Sequence, residues 1–145
     1  MFILYKNKMK NIDEYLYKYG LHDCVVERIY AQNNSLVFCF GTGVYNLNEK
    51  GTETIKTNEC LMCLELEKLN KEQMWEHIEI LKINKNKINE IDYEEFVEEV
   101  DKYKFDIMEN YLSCFGNGIL IEGYISKNRY QIKISEISKI EFNFK

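Results

Sequence analysis

The sequence predicts one α+β domain spanning residues 1–145, dominated by an antiparallel sheet of about seven or eight strands. The sheet is expected to curl into a sandwich or a partly open barrel, with two short helices beside it. Three observations carry this. Residues 20–40 hold two β-rich runs around Gln32-Asn33-Asn34-Ser35, the turn formers that a hairpin needs. Residues 105–144 hold further apolar-alternating runs joined by turns of two to four residues, which implies an antiparallel meander and not βαβ units. Helical spacing is clear in only two stretches, 10–19 and 92–103.

In chain order, Ile12, Tyr15, Leu16 and Tyr19 fall at i, i+3, i+4, i+7, and Gly20 stands where a helix stop would. The run 24–31 does not alternate cleanly, and a β-bulge would keep Val26 and Ile29 on one face. Leu36, Phe38 and Phe40 alternate well, Gly41-Thr42-Gly43 breaks that strand, and Val44, Tyr45 and Leu47 suit a short further one. Residues 48–58 read as a polar loop. Cys60–Glu67 reads as a strand with Met62, Leu64 and Leu66 on one face.

Residues 70–83 fit two patterns. Asn70 and Gln73 resemble a capping box before Met74, Ile78 and Leu81, whereas Ile78, Ile80 and Ile83 suit a bulged strand. For 92–103, Asp92 and Glu95 form an N-cap and N3 pair ahead of the stripe Tyr93, Phe96, Val97, Val100. Strands follow at 105–115, 119–126, 130–135 and 138–144, with turns at Gly116-Asn117-Gly118 and Ser126-Lys127-Asn128-Arg129.

Composition narrows the function classes. The chain has no Pro, one Ala and two Arg against 17 Lys, 17 Ile and 15 Asn. AT-rich coding explains that bias without a structural demand, and it leaves Asn and Gly to make the turns. A net charge of −5 disfavours a nucleic-acid or anionic-membrane partner. No apolar run approaches the roughly 20 residues that span a bilayer. Lys6, Lys8 and Lys10 follow the apolar Met1–Tyr5 instead of preceding it, unlike a signal peptide, so a cytoplasmic protein is expected.

Leu21-His22-Asp23 opening a bulged hairpin, the mid-chain strand with Leu64-Glu65-Leu66, and a late hairpin ending in alternating Ile, Glu and Phe resemble a loose group of small bacterial proteins. That group comprises immunity-type proteins of toxin systems and uncharacterised mainly-β domains of similar size. The resemblance implies inhibition by protein–protein contact.

Candidate sites compete with plainer readings. His22 beside Asp23 could serve as a base or a ligand, but neighbours on an extended chain face opposite ways, which favours a capped turn. The pair Cys60 and Cys63 lies on a strand, which separates the thiols, and His22, His77, Cys24, Cys39 and Cys114 offer no second paired spacing for zinc. Buried, structural cysteines and no cofactor are therefore expected. Trp75, with Met74 and Tyr15, Tyr17 and Tyr19, could line a pocket or simply pack in the core. The acidic run 90–101, which has no positive charge before Lys102, is the feature that a solvated face explains least well. Glu94/Glu98 and Glu95/Glu99 stand at i,i+4 and repel by a few tenths of a kcal/mol per pair. Glu94, Glu95, Glu98, Glu99 and Asp101 are thus expected to meet a basic protein partner, and a non-enzymatic binding domain is the leading reading. The rival is a small-molecule-binding or enzymatic barrel that uses the sheet interior and His22.

Overall fold

The computed structural model describes residues 18–67, 74–112 and 117–145. Its strands are β1 (Tyr19–Gly20), β2 (Val25–Val26), β3 (Arg28–Gln32), β4 (Ser35–Phe40), β5 (Tyr45–Leu47), β6 (Glu53–Lys56) and β7 (Cys60–Leu66). A single helical turn, α1 (Met74–His77), leads into β8 (Ile78–Asn84) and β9 (Lys87–Ile91). Helix α2 (Tyr93–Tyr103) is followed by β10 (Phe105–Leu112), β11 (Ile119–Ile125), β12 (Asn128–Ile134) and β13 (Ile137–Phe144). They form three open antiparallel sheets in the orders β2-β10-β11-β12-β8-β9, β13-β7-β4-β3 and β1-β5-β6.

The two larger sheets share one core, and the chain passes between them three times, at two sharp corners and between β7 and β8. At the first, β2 pairs with β10 while β3 pairs with β4, and the switch occurs at Glu27, whose N–H still donates to the Cys39 carbonyl at 2.9 Å. Val26 and Ile29 consequently both point inward, one from each sheet. At the second corner, Glu136 adopts a left-handed φ of 58° between β12 and β13. Ser135 N–H donates to the His77 carbonyl at 2.8 Å, and Glu67 N–H donates to that of Glu136 at 3.1 Å. Ile29, Leu36, Phe38, Phe40, Leu64 and Phe142 from one sheet meet Phe105, Ile121, Tyr130 and Ile132 from the other. The hairpin between β3 and β4 closes through Asn33 at φ 56° and sets Ile29 opposite Phe38.

Helix α2 packs along the opening between the two sheets. Phe96 reaches Phe105 at 5.5 Å between ring centroids and Tyr130 at 5.4 Å. Gly123 makes room for this cluster: a Cβ there would stand 2.2 Å from the Asp106 carbonyl oxygen and 2.7 Å from the Phe105 ring. Gly43, at φ 79°, is needed for a different reason, since a side chain would run into the Thr57 and Asn58 carbonyls.

Several expectations change. Among the described residues the strands number 13 and not seven or eight: the first corner divides the run 24–31 into β2 and β3, and β1, β6, β8 and β9 are added; the small third sheet was not foreseen. Of the expected sandwich or partly open barrel, the structure shows open sheets: β9 and β2 end one, β3 and β13 the other. Residues 48–58 are not all loop, since β6 pairs with β5, Tyr45 opposite Lys56 and Leu47 opposite Glu53. Residues 70–83 resolve into both alternatives, α1 and then β8, and β9 adds a hairpin where no strand was expected. The meander stops at β12, because the Glu136 corner sends β13 to β7. Asp92 occupies the N-cap position, but its side chain makes no capping hydrogen bond. Most of the expected helix 10–19 lies outside the described residues. Its last member, Tyr19, is in β1 and packs against Phe142 at 4.8 Å and Phe144 at 5.3 Å.

Phe38→Ala should destabilise the protein by about 3–5 kcal/mol in chemical denaturation. Gly123→Ala should cost about 1–3 kcal/mol through the displaced Phe105 ring and the β10 backbone. Unchanged unfolding midpoints in either variant would mean that the inner faces are wrongly assigned.

Candidate functional site

Helix α2 is amphipathic by sequence and held by packing. Phe96 and Val100 are buried, and Lys104 closes the C-terminus at φ 66° with its N–H on the Val100 carbonyl at 2.8 Å. The Lys104 ammonium donates to the carbonyls of Glu27 and Asp101, both at 3.3 Å, tying the helix end to the first corner. Glu94, Glu95, Glu98 and Asp101 are exposed, whereas Glu99 is half-buried and not open as expected. The acidic residues therefore fan out over the solvent side of a helix whose apolar side is anchored.

A groove of about 440 Å³ runs between α2 and β3. Its helix wall carries Tyr93, Glu94, Val97 and Asp101, and its strand wall carries Arg28, Ile29, Tyr30 and Ala31. β3 is the last strand of its sheet, and Arg28 stacks over the Tyr30 ring at 5.0 Å. The Tyr93 hydroxyl is buried with no hydrogen-bond partner among the described residues. Burial, helped by the Glu94 carboxylate, pushes that phenol up to about 12. Sequence reasoning found the acidic run but missed the groove, because nothing in residues 28–31 announces that they will lie beside residues 93–101.

His22 and Asp23 are nearer to each other than extended geometry allows. Asp23 has φ 60°, and this turn brings its Oδ2 to 3.4 Å from His22 Nδ1. Glu53 Oε1 lies at 3.2 Å from the same nitrogen, a partner supplied by the unforeseen strand β6. The cluster is at the surface, with the imidazole side chain 48% exposed, and the apolar core occupies the space between the sheets. His22 and the sheet interior thus do not form one cavity. Trp75 belongs to α1, and its side chain lies outside the described residues, as do Tyr15 and Tyr17.

Two polar groups are buried with no sign of it in the sequence. His77 is buried and sits 3.3 Å from Glu136 Oε2 at the second corner. Glu122 is nearly buried on the outer face of the six-stranded sheet, where Arg129 Nη2 donates to it at 2.8 Å and Gln131 Nε2 at 3.1 Å. Cross-strand registry explains the second set, since Glu122 lies opposite Gln131 and beside the Tyr124–Arg129 pair.

The cysteines are placed as their strand pattern predicts. Cys60 faces the core and Cys63 the opposite side, where Asn143 Nδ2 reaches its sulfur at 3.6 Å, so the two thiols cannot ligate one ion together. Among the described residues no group of three or more potential ligands is arranged to hold a metal ion. Burial raises the thiol pKa of Cys24, Cys39, Cys60 and Cys63.

The chain matches no family model, no curated protein and no solved structure. What the molecule itself defines is a mainly antiparallel β protein with one helix longer than a single turn among the described residues. No helix of the described residues is long and apolar enough to cross a membrane.

Burial raises the Cys24 thiol from 9.0 to about 11. Between those values the unfolded chain loses its proton while the folded chain keeps it, so stability should fall as pH rises through that window. Denaturation midpoints measured from pH 8 to pH 11 should show this fall, with a shallower slope in Cys24→Ala. Equal slopes would mean that Cys24 is solvated.

Proposed function

We propose that this protein is a non-enzymatic binding domain that recognises a basic protein surface through α2, in the manner of an immunity-type inhibitor. The observation that carries this reading is the anchoring of α2. Phe96 and Val100 hold the helix on the core while Glu94, Glu95, Glu98 and Asp101 stay exposed. The i,i+4 repulsion opposes the helix, and tertiary packing outweighs it. Carboxylates held in place on one face give a directed field that steers a cationic partner and raises its rate of association. An acidic face also fits the overall charge of −5, which disfavours nucleic acid.

The enzymatic alternative needs convergent polar groups in a concavity. His22, Asp23 and Glu53 converge, but on an exposed turn. The binding reading is therefore the one we adopt.

Replacing Glu94, Glu95, Glu98 and Glu99 by Gln should leave thermal stability unchanged or raise it slightly, since like-charge repulsion is relieved. Wild type immobilised in native lysate at low salt should capture a basic protein, identified by mass spectrometry, that is lost at high salt. The four-fold variant should fail to capture it. Equal capture by both chains, or captured proteins that are not basic, would overturn the reading.

A further inference from the structure

The following inference rests on that reading and names what α2 recognises. We propose that the groove between α2 and β3 receives an extended segment of a partner protein, with side chains facing α2 in the order basic, apolar, basic. The residues between them, facing β3, include an acidic one. Glu94, Val97 and Asp101 stand at i, i+3 and i+7, so one helix stripe presents carboxylate, methyls, carboxylate to the groove. Seven residues of helix span about 10 Å. Alternate side chains of an extended segment recur about every 6.6 Å, so the first and third are about 13 Å apart, within reach of flexible Lys or Arg stems on two Glu/Asp side chains.

The opposite wall differs in charge. Arg28 lies over Tyr30 and, like Glu94 and Asp101, forms no ion pair among the described residues. An extended chain sends successive side chains to opposite sides, so one segment can answer acids on the α2 wall and a guanidinium on the β3 wall. Ala31 and Val97 supply the apolar contact between the charges. The buried Tyr93 hydroxyl lacks a partner among the described residues, and a backbone carbonyl or N–H of the segment can provide one. A volume of about 440 Å³ suits a few residues of such a chain, not a folded surface.

The test is an NMR titration of the isotope-labelled protein with an acetylated, amidated peptide Lys-Glu-Val-Thr-Lys and its charge-reversed counterpart Glu-Lys-Val-Thr-Glu. Lys-Glu-Val-Thr-Lys should shift the amides of 28–31 and 93–101, and the reversed peptide should leave them in place. Loss of charged contacts in Glu94→Gln/Asp101→Asn should weaken binding about tenfold or more. Tyr93→Phe should keep the fold and weaken binding several-fold. Glu49→Gln/Glu79→Gln, with the same change of net charge outside the groove, should bind as wild type. Shifts elsewhere, or equal binding to Glu94→Gln/Asp101→Asn, would overturn the groove. If the four-fold α2 variant still lost its basic partner in that case, the acidic face would stand without the groove. Self-association abolished by Ala31→Arg would put a second copy in the groove and also overturn the proposal.

Discussion

Two sheets burying one set of side chains is the constraint on which everything else in this protein depends. Neither the six-stranded nor the four-stranded sheet could cover its own inner face, and the chain solves this by passing between them three times, twice at sharp corners. Glu27 and Glu136 mark those two corners. Each corner keeps its backbone hydrogen bonds satisfied: Glu27 N–H reaches Cys39, and the carbonyl of Glu136 receives Glu67 N–H. Left-handed residues other than Gly at Asp23, Asn33, Ser126 and Glu136 occur where the chain turns sharply, in a sequence that has no Pro and few Gly.

The candidate site follows from the same constraint. The opening between the sheets has to be covered by something apolar, and α2 covers it with Phe96 against Phe105 and Tyr130. Gly123 permits that contact by having no side chain. Once Phe96 is anchored, helical periodicity decides where the carboxylates point. Glu94 and Asp101 turn toward β3, Glu95 and Glu98 toward solvent, and Glu99 becomes half-buried. A helix with this much like charge would be marginal alone, so its structure is supplied by the sheets beneath it. The candidate site and the fold are thereby linked through one aromatic contact.

Polar groups elsewhere follow strand registry. Glu122, Arg129 and Gln131 are brought together because β11 and β12 pair with Glu122 opposite Gln131. His22 meets Glu53 only because β6 joins β5, which in turn joins β1 just before the turn that carries His22. These are contacts between residues 7 to 31 positions apart, and local sequence has no means of specifying them.

Local chemistry therefore determined the elements. Alternating Leu36, Phe38 and Phe40, the Asn33-Asn34 turn, the Phe96/Val100 stripe and the Ile-rich strands of residues 119–144 were legible because side-chain period and turn propensity act over a few residues. The same reasoning placed Cys60 and Cys63 on opposite faces. Tertiary structure alone decided which strands share a sheet, that β13 pairs with β7, that residues 53–56 form a strand, and that β3 lies beside α2 to make a groove. Pairing energy depends on the partner and not on the strand itself, and a polar run such as Glu53–Lys56 becomes a strand only when an edge is offered to it.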